Sequence, residues 1–177
     1  MKNIMFSVPL FVYKISQWES KKNQLKDIYK RSILIGGDKY PYVNTDFHKQ
    51  QTKDFQYNYE IENILKDEIQ LFKRESELNN YKVSDSWFEL ALEHQFHPVH
   101  SHGPIGYSSV CFIEFDPSVH QGTIFLSPFN NFVNGDSLKF SSDVSEGVIL
   151  FFPSIIKHYT MPHNSSKERL ILSFNLR

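Results

Sequence analysis

Four side chains at three places in this 177-residue chain have the types and spacing for metal chemistry. His100 and His102 stand two apart in the run His97-Pro98-Val99-His100-Ser101-His102-Gly103-Pro104. On an extended backbone, residues two apart share a face, so both imidazoles can grip one ion. His158 lies 56 residues after His102, behind the run Gly147 to Lys157, which reads as a strand, a proline turn and the start of a second strand. A histidine there is placed to bring a third imidazole from across a barrel. Imidazole suits iron, zinc, nickel or copper, and three protein ligands on one side leave positions open, as a catalytic site requires. Arg169 comes 11 residues later. Its five donors, in a fixed fork, suit a carboxylate. Against this stand plainer readings: a surface histidine pair, and a rim arginine paired with Glu168.

The elements that must position these groups follow from patterning. In Arg169 to Leu176, alternation puts Leu170, Leu172, Phe174 and Leu176 on a packing face, and Arg169, Ile171, Ser173 and Asn175 on the other. Short apolar or alternating runs at 86–92, 107–115, 121–127, 137–140, 147–152, 155–161 and 168–176 are separated by turn signals such as Gly103-Pro104 and Asn134-Gly135. Before them, Phe6 to Tyr13 reads as a strand with Pro9 marking an edge or bulge. Residues 18–33 read as a helix ended by Gly36-Gly37, and 38–58 as a long loop. Ile61, Ile64, Leu65, Ile69 and Phe72 recur at helical spacing, predicting a helix from Tyr59 to Asn79 stopped at Asn79-Asn80. Helices first and dense strands afterwards predict a mainly β fold with N-terminal helices, a helix-backed sandwich or small barrel.

Composition excludes several classes. One cysteine, Cys111, leaves no intrachain disulfide framework and no cysteine-rich zinc site; inside an apolar strand it reads as a buried thiol. No apolar run is long enough to span a bilayer, and the opening residues do not read as a secretory leader. Net charge is -1, so nothing signals nucleic acid. Without a Gly-rich phosphate loop or alternating βα units, a βαβ nucleotide fold is not expected.

In order and spacing, His100-Ser101-His102, Ser108-Ser109-Val110, Gly147 through Phe151-Phe152-Pro153 to His158, and Arg169 through Ser173-Phe174-Asn175 resemble the iron(II)- and 2-oxoglutarate-dependent oxygenases. More narrowly they resemble a bacterial and phage group with a His-x-His motif. The resemblance covers roughly 86–177. It implies a double-stranded β-helix (jelly roll, cupin-like) as one domain over 1–177, with helical support at about 18–80 and the β-helix core at about 86–177. It also implies Fe(II) held by His100, His102 and His158, and 2-oxoglutarate anchored by Arg169. Tyr107, Ser173 and Asn175 are the cosubstrate contacts it suggests, with ascorbate as a candidate reductant for the iron.

This chain departs from the superfamily twice. His102 stands where a carboxylate is usual, with Glu114 and Asp116 as the nearest substitutes. Ile171 stands where that narrower group often has serine, leaving Tyr107, Tyr159 or Ser173 to supply the hydroxyl. The implied activity is hydroxylation of a substrate with release of succinate and CO2, in a cytoplasmic, non-membrane protein, with a homodimer as a candidate assembly. Two rivals remain: a cupin-type three-histidine dioxygenase or isomerase, and a non-enzymatic metal-binding module of the same fold. His94 and His97 are expected at the substrate entrance, with His97 paired to His100 or Glu93 as an alternative register. Trp87 is expected in the core or pocket wall, Lys157 facing away from His158, and His48, His120 and His163 on the surface.

Overall fold

Which side of each strand is apolar decides the layers. The computed structural model describes residues 6–32, 42–47 and 57–177. Within them the chain forms β1 (Phe11–Lys14), α1 (Trp18–Ser32), β2 (Asn44–Thr45), α2 (Asn58–Ile64), α3 (Lys66–Ser76), β3 (Val83–Ala91), β4 (Tyr107–Glu114), β5 (Ile124–Asn130), β6 (Ser137–Ser141), β7 (Val148–Pro153), β8 (His158–Tyr159) and β9 (Arg169–Leu176). The strands make two antiparallel sheets, one in the order β1-β7-β4-β9-β3-β2 and one in the order β6-β5-β8.

β9 sits between β3 and β4 and explains the architecture. Its Leu170, Leu172, Phe174 and Leu176 pack with Leu25, Ile28, Ile61, Ile69 and Phe72 of the helices. Its other face carries Ile171, which joins Val110, Phe112, Leu150, Phe152 and Phe125 in a second cluster between the sheets. Helices, large sheet and small sheet therefore stack as three layers, and the protein is the expected double-stranded β-helix backed by helices. Both faces of the strand are covered, so all eight residues of β9 are buried, the polar Arg169, Ser173 and Asn175 of the inward face included.

Two glycines permit close approaches that this packing needs. Gly106 has φ +90° just before β4, and a Cβ there would lie 2.5 Å from the Leu176 carbonyl. Gly147 has φ +77° and sits against the Trp18 ring, which a Cβ would meet at 3.0 Å.

The expected strands are found with ends moved by a few residues, but the N-terminal half differs in three ways. The first strand is Phe11–Lys14, on the sheet edge beside β7, and Pro9 precedes it. The stretch read as loop contains β2, which pairs Asn44 with Leu90 and Thr45 with Glu89; two residues are too few for periodicity to register. The predicted long helix is two, hinged at Leu65 (φ -98°, ψ 22°). Leu65 still donates to Ile61, and Ile69 to Leu65, both at 2.9 Å. The bend therefore keeps the ladder and the apolar face. The second helix ends earlier than Asn79, because Glu77 adopts the left-handed conformation (φ 61°) and closes the turn onto Lys73. Gly36-Gly37 lies outside the described residues.

Candidate metal centre

The His-x-His segment is held by the second sheet. His100 and His158 exchange backbone hydrogen bonds of 3.0 and 2.9 Å, and the His102 N–H donates to the Ser154 carbonyl at 2.9 Å. These bonds bring His100, His102 and His158 together, one ring nitrogen from each within 4.8 Å of the others.

The hydrogen bonds also fix which nitrogen each ring offers. The Nδ1–H of His100 donates to the Pro98 carbonyl (2.8 Å), that of His158 to the Ile156 carbonyl (3.0 Å), and that of His102 to Asn175 Oδ1 (3.2 Å). Each acceptor orients its ring and leaves Nε2 with a free lone pair. The Nε2 atoms of His100 and His102 face each other at 3.2 Å. Two lone pairs at that separation repel unless a cation lies between them, and about 3 Å is the spacing of adjacent nitrogens each about 2.1 Å from one metal. Asn175 is itself fixed, since Ser108 Oγ donates to its Oδ1 (2.8 Å) and Ser108 Oγ contacts Ser154 Oγ (2.8 Å).

Burial keeps these rings neutral. It pushes His102 down to about 4, His158 well below its ordinary value and His100 down, and the neighbouring imidazoles add to the effect in each case. The centre opens onto a cavity of about 440 Å³ whose lining includes Thr45, Phe47, Trp87, Glu89, His97 and Arg177. Trp87 packs edge-on to His102 with centroids 5.0 Å apart, as a pocket wall.

Arg169 lies deeper on the same face of β9. It is 3% exposed, and its Nε and Nη2 find no hydrogen-bond partner. Burial pushes its guanidinium down to about 10, with Glu89 opposing that shift. A buried guanidinium with two idle donors is costly and is a ready receptor for an anion. A second buried orphan is Thr123 Oγ1, two residues ahead of Phe125, whose ring faces His158 and Phe152 inside the sandwich. Ser173 is buried opposite Trp87 and Val110 on the inward face.

Tyr107 belongs elsewhere. It stands on the helix side of β4, its ring against Phe11 and Phe72, because its parity matches Ser109 and Cys111 rather than Ser108. Tyr159 shares that fate: it pairs with Ile124 on the face opposite His158, with Lys139 over its ring. Nor do the candidate carboxylates approach the histidines. Glu114 is bound by Lys22 (3.1 Å) and Lys26 (2.6 Å), and Asp116 by Lys167. Arg169, in turn, forms no ion pair with Glu168 among the described residues.

His120 and His163, expected on the surface, are 6% and 5% exposed. Both donate from Nε2 to the Lys167 carbonyl. His94 is largely exposed and His48 is outside the described residues. Lys157 is exposed and Cys111 is fully buried.

His97 borders the cavity and pairs with Glu89 (Nδ1 to Oε2, 3.0 Å) instead of Glu93. Glu89 is the residue that sequence reasoning missed. Its signal was a charge at an inward position of an otherwise apolar strand, Trp87-Phe88-Glu89-Leu90-Ala91. Thr123 gave no signal at all.

A family model described as "Putative 2OG-Fe(II) oxygenase" matches residues 85–175. No curated protein matches. Among solved structures, a Pseudomonas putida prolyl-4-hydroxylase superposes with TM-score 0.62 at 13% identity, covering 97% of this chain and 93% of that one. A viral collagen prolyl hydroxylase from Paramecium Bursaria Chlorella virus-1 gives 0.63 at 12% identity, over 95% and 94%. HygX from Streptomyces hygroscopicus, a structure with nickel, 2-oxoglutarate and hygromycin B bound, gives 0.61 at 10% identity, over 96% and 82%. At these identities the likeness is one of fold.

Proposed function

The chain belongs to this 2OG-Fe(II) oxygenase family, and from that premise we propose that it is an iron(II)- and 2-oxoglutarate-dependent oxygenase. Its reaction would couple conversion of 2-oxoglutarate to succinate and CO2 with hydroxylation of a substrate in the cavity above His100 and His102. The whole of 1–177 would serve as one domain, helices supporting the β-helix. The observation that carries the metal reading is the pair of Nε2 atoms facing each other at 3.2 Å, each left a lone pair because an oxygen, of Pro98 for His100 and of the Asn175 side chain for His102, accepts from Nδ1.

The donor set fits a ferrous ion: three neutral imidazoles, borderline ligands on one side. When bound, the ion and its cosubstrate supply oxygen activation and the electrons for it. The chain supplies position. His100, His102 and His158 would hold the metal, and Asn175, itself held by Ser108, fixes the His102 ring. Arg169, with two idle donor atoms, would take the distal carboxylate, and Thr123, whose buried hydroxyl is likewise unpartnered, would give the hydroxyl that Ile171 lacks. Phe152 and Phe125, packed on His158, keep water from that side.

An all-imidazole set also suits a three-histidine dioxygenase that uses no 2-oxoglutarate. The two idle donors of Arg169 argue for a bound anion and hence for the first reading. Anaerobic titration of 2-oxoglutarate into Fe(II)-loaded protein separates the two. A visible charge-transfer band should grow with it, vanish in His158→Ala and weaken in Arg169→Ala. Iron binding with no 2-oxoglutarate binding would overturn the oxygenase reading and favour a three-histidine enzyme or a non-catalytic metal module.

A further inference from the structure

Three neutral imidazoles bring a divalent ion no compensating charge, and neither Glu114 nor Asp116 is near enough to supply it. The buried inward-facing Glu89 is. It stands on β3 opposite Ile171, its side chain 4% exposed. Its Oε1 accepts from Trp87 Nε1 at 3.0 Å, and its Oε2 meets His97 Nδ1 at 3.0 Å. Each partner packs on a different histidine of the triad. The His97 ring lies flat on His100, centroids 3.8 Å apart and planes 14° off parallel, and Trp87 stands edge-on to His102 at 5.0 Å. One carboxylate thus ties together the two rings that back His100 and His102. A pair of apolar side chains would fill this volume without the several kcal/mol that burying a charged carboxylate costs, and a neutral His97 can donate that Nδ1–H, which leaves the carboxylate's charge for the metal.

We propose that Glu89 is the charge-compensating carboxylate of this centre, set one layer behind the metal, and that it acts through His97 and Trp87 as a positioning residue for His100 and His102. The inference rests on the three-histidine reading of the site and deepens it. Glu89 raises affinity for a divalent cation without touching it. Trp87 and His97 transmit its effect by holding the two imidazoles at their 3.2 Å spacing.

Anaerobic titration with cobalt(II), whose visible bands report coordination, tests this in wild type, Glu89→Gln, Trp87→Phe and Glu114→Gln, with melting curves of the metal-free proteins alongside. Glu89→Gln keeps the shape and the Trp87 hydrogen bond but not the charge, and its NH2 can meet His97 only with that ring's proton moved to Nε2. It should weaken cobalt binding about 10- to 100-fold, in the range of other outer-shell partners, with band positions unchanged. Trp87→Phe keeps a ring against His102 and loses the N–H to Glu89 along with part of the indole's buried volume, so it should cost about three- to tenfold, with the melting curve separating the packing loss, and decides the matter should Glu89→Gln not fold. Glu114→Gln, the same charge change on the outer surface, should bind as wild type does. Unchanged affinity in the folded Glu89 and Trp87 variants would overturn the proposal. So would cobalt bands in Glu89→Gln that show a lost oxygen ligand, since Glu89 would then touch the metal. A wild-type protein that binds no cobalt would instead refute the three-histidine site itself.

Discussion

Among the described residues two groups of buried or half-buried histidines sit in this fold, and only one is built to hold a metal. His120 and His163 stand 4.6 Å apart, nearly perpendicular. His120 accepts the Asp116 N–H on Nδ1 and donates from Nε2, while His163 donates from Nε2 to the same Lys167 carbonyl. Three of their four ring nitrogens, both of His120 and Nε2 of His163, are spent on backbone groups that pin the loop before β9, so no three lone pairs converge there. In His100, His102 and His158 the carbonyl partners sit on Nδ1, so three Nε2 lone pairs are left over and aimed together. Clustering and burial do not make a ligand; the nitrogen left unspent does.

The largest effect should come from replacing one member of each group. His158→Ala should lower cobalt or iron affinity on the order of 1,000-fold, about 4 kcal/mol. His163→Ala should leave that affinity within about twofold and cost about 1–3 kcal/mol of folding stability through its lost hydrogen bond. Calorimetric metal titration and urea unfolding read the two separately. Equal metal losses would erase the distinction between the groups.

Acid should act next, chiefly through the triad. Burial holds His102 near 4 in the folded metal-free protein against an ordinary 6.5. Between those values the unfolded chain binds more protons than the folded one, so stability rises with pH. It is complete above about 6.5 and lost progressively toward 4, on the order of 3 kcal/mol from His102 alone. His158 and His100 push the same way. His97 opposes them: burial lowers it, but Glu89 raises it above its ordinary value, so its contribution is full in acid and fades as pH climbs past its folded value. Urea midpoints between pH 7.5 and 4 should fall for wild type and fall less for His102→Asn. A flat wild-type profile would contradict neutral buried rings.

Much of this was legible beforehand because it depends on local parity. Alternation in β9 separates the leucines from Arg169, Ser173 and Asn175, and the same parity of two puts His100 beside His102. The missing parts depend on partners that no local pattern announces. His120 and His163 look like polar loop residues until Lys167 is folded between them. Tyr107 is a candidate hydroxyl by position along the chain alone; its parity, one residue off Ser108, sends its ring to the helices. Glu89 acquires meaning only from His97 eight residues on, and the hinge at Leu65 interrupts a helix whose apolar spacing never breaks. The family match begins at residue 85, which is also where the resemblance in sequence became firm.

The remaining predictions contrast the metal end of the site with its anion end. Arg169→Met should weaken 2-oxoglutarate binding to metal-loaded protein about 50-fold, about 2 kcal/mol, and leave metal affinity unchanged. It should also stabilise the metal-free protein by about 1–3 kcal/mol, because it removes a buried charge with idle donors. Urea unfolding checks the sign; a destabilised variant would mean that the guanidinium is already satisfied.

The smallest effect belongs to Thr123. Valine has the same shape, and in the free protein the hydroxyl bonds to nothing, so Thr123→Val should leave folding unchanged within about 0.5 kcal/mol. With 2-oxoglutarate the hydroxyl would gain a carboxylate partner, and its removal should cost about fivefold to tenfold, the net worth of one hydrogen bond to a charged group. Adding Ile171→Ser to Thr123→Val offers the carboxylate another hydroxyl from the strand that carries Arg169, and should recover part of that loss. Recovery without any change in metal affinity would locate the distal carboxylate between β5 and β9. An unaffected Thr123→Val would move it away from β5.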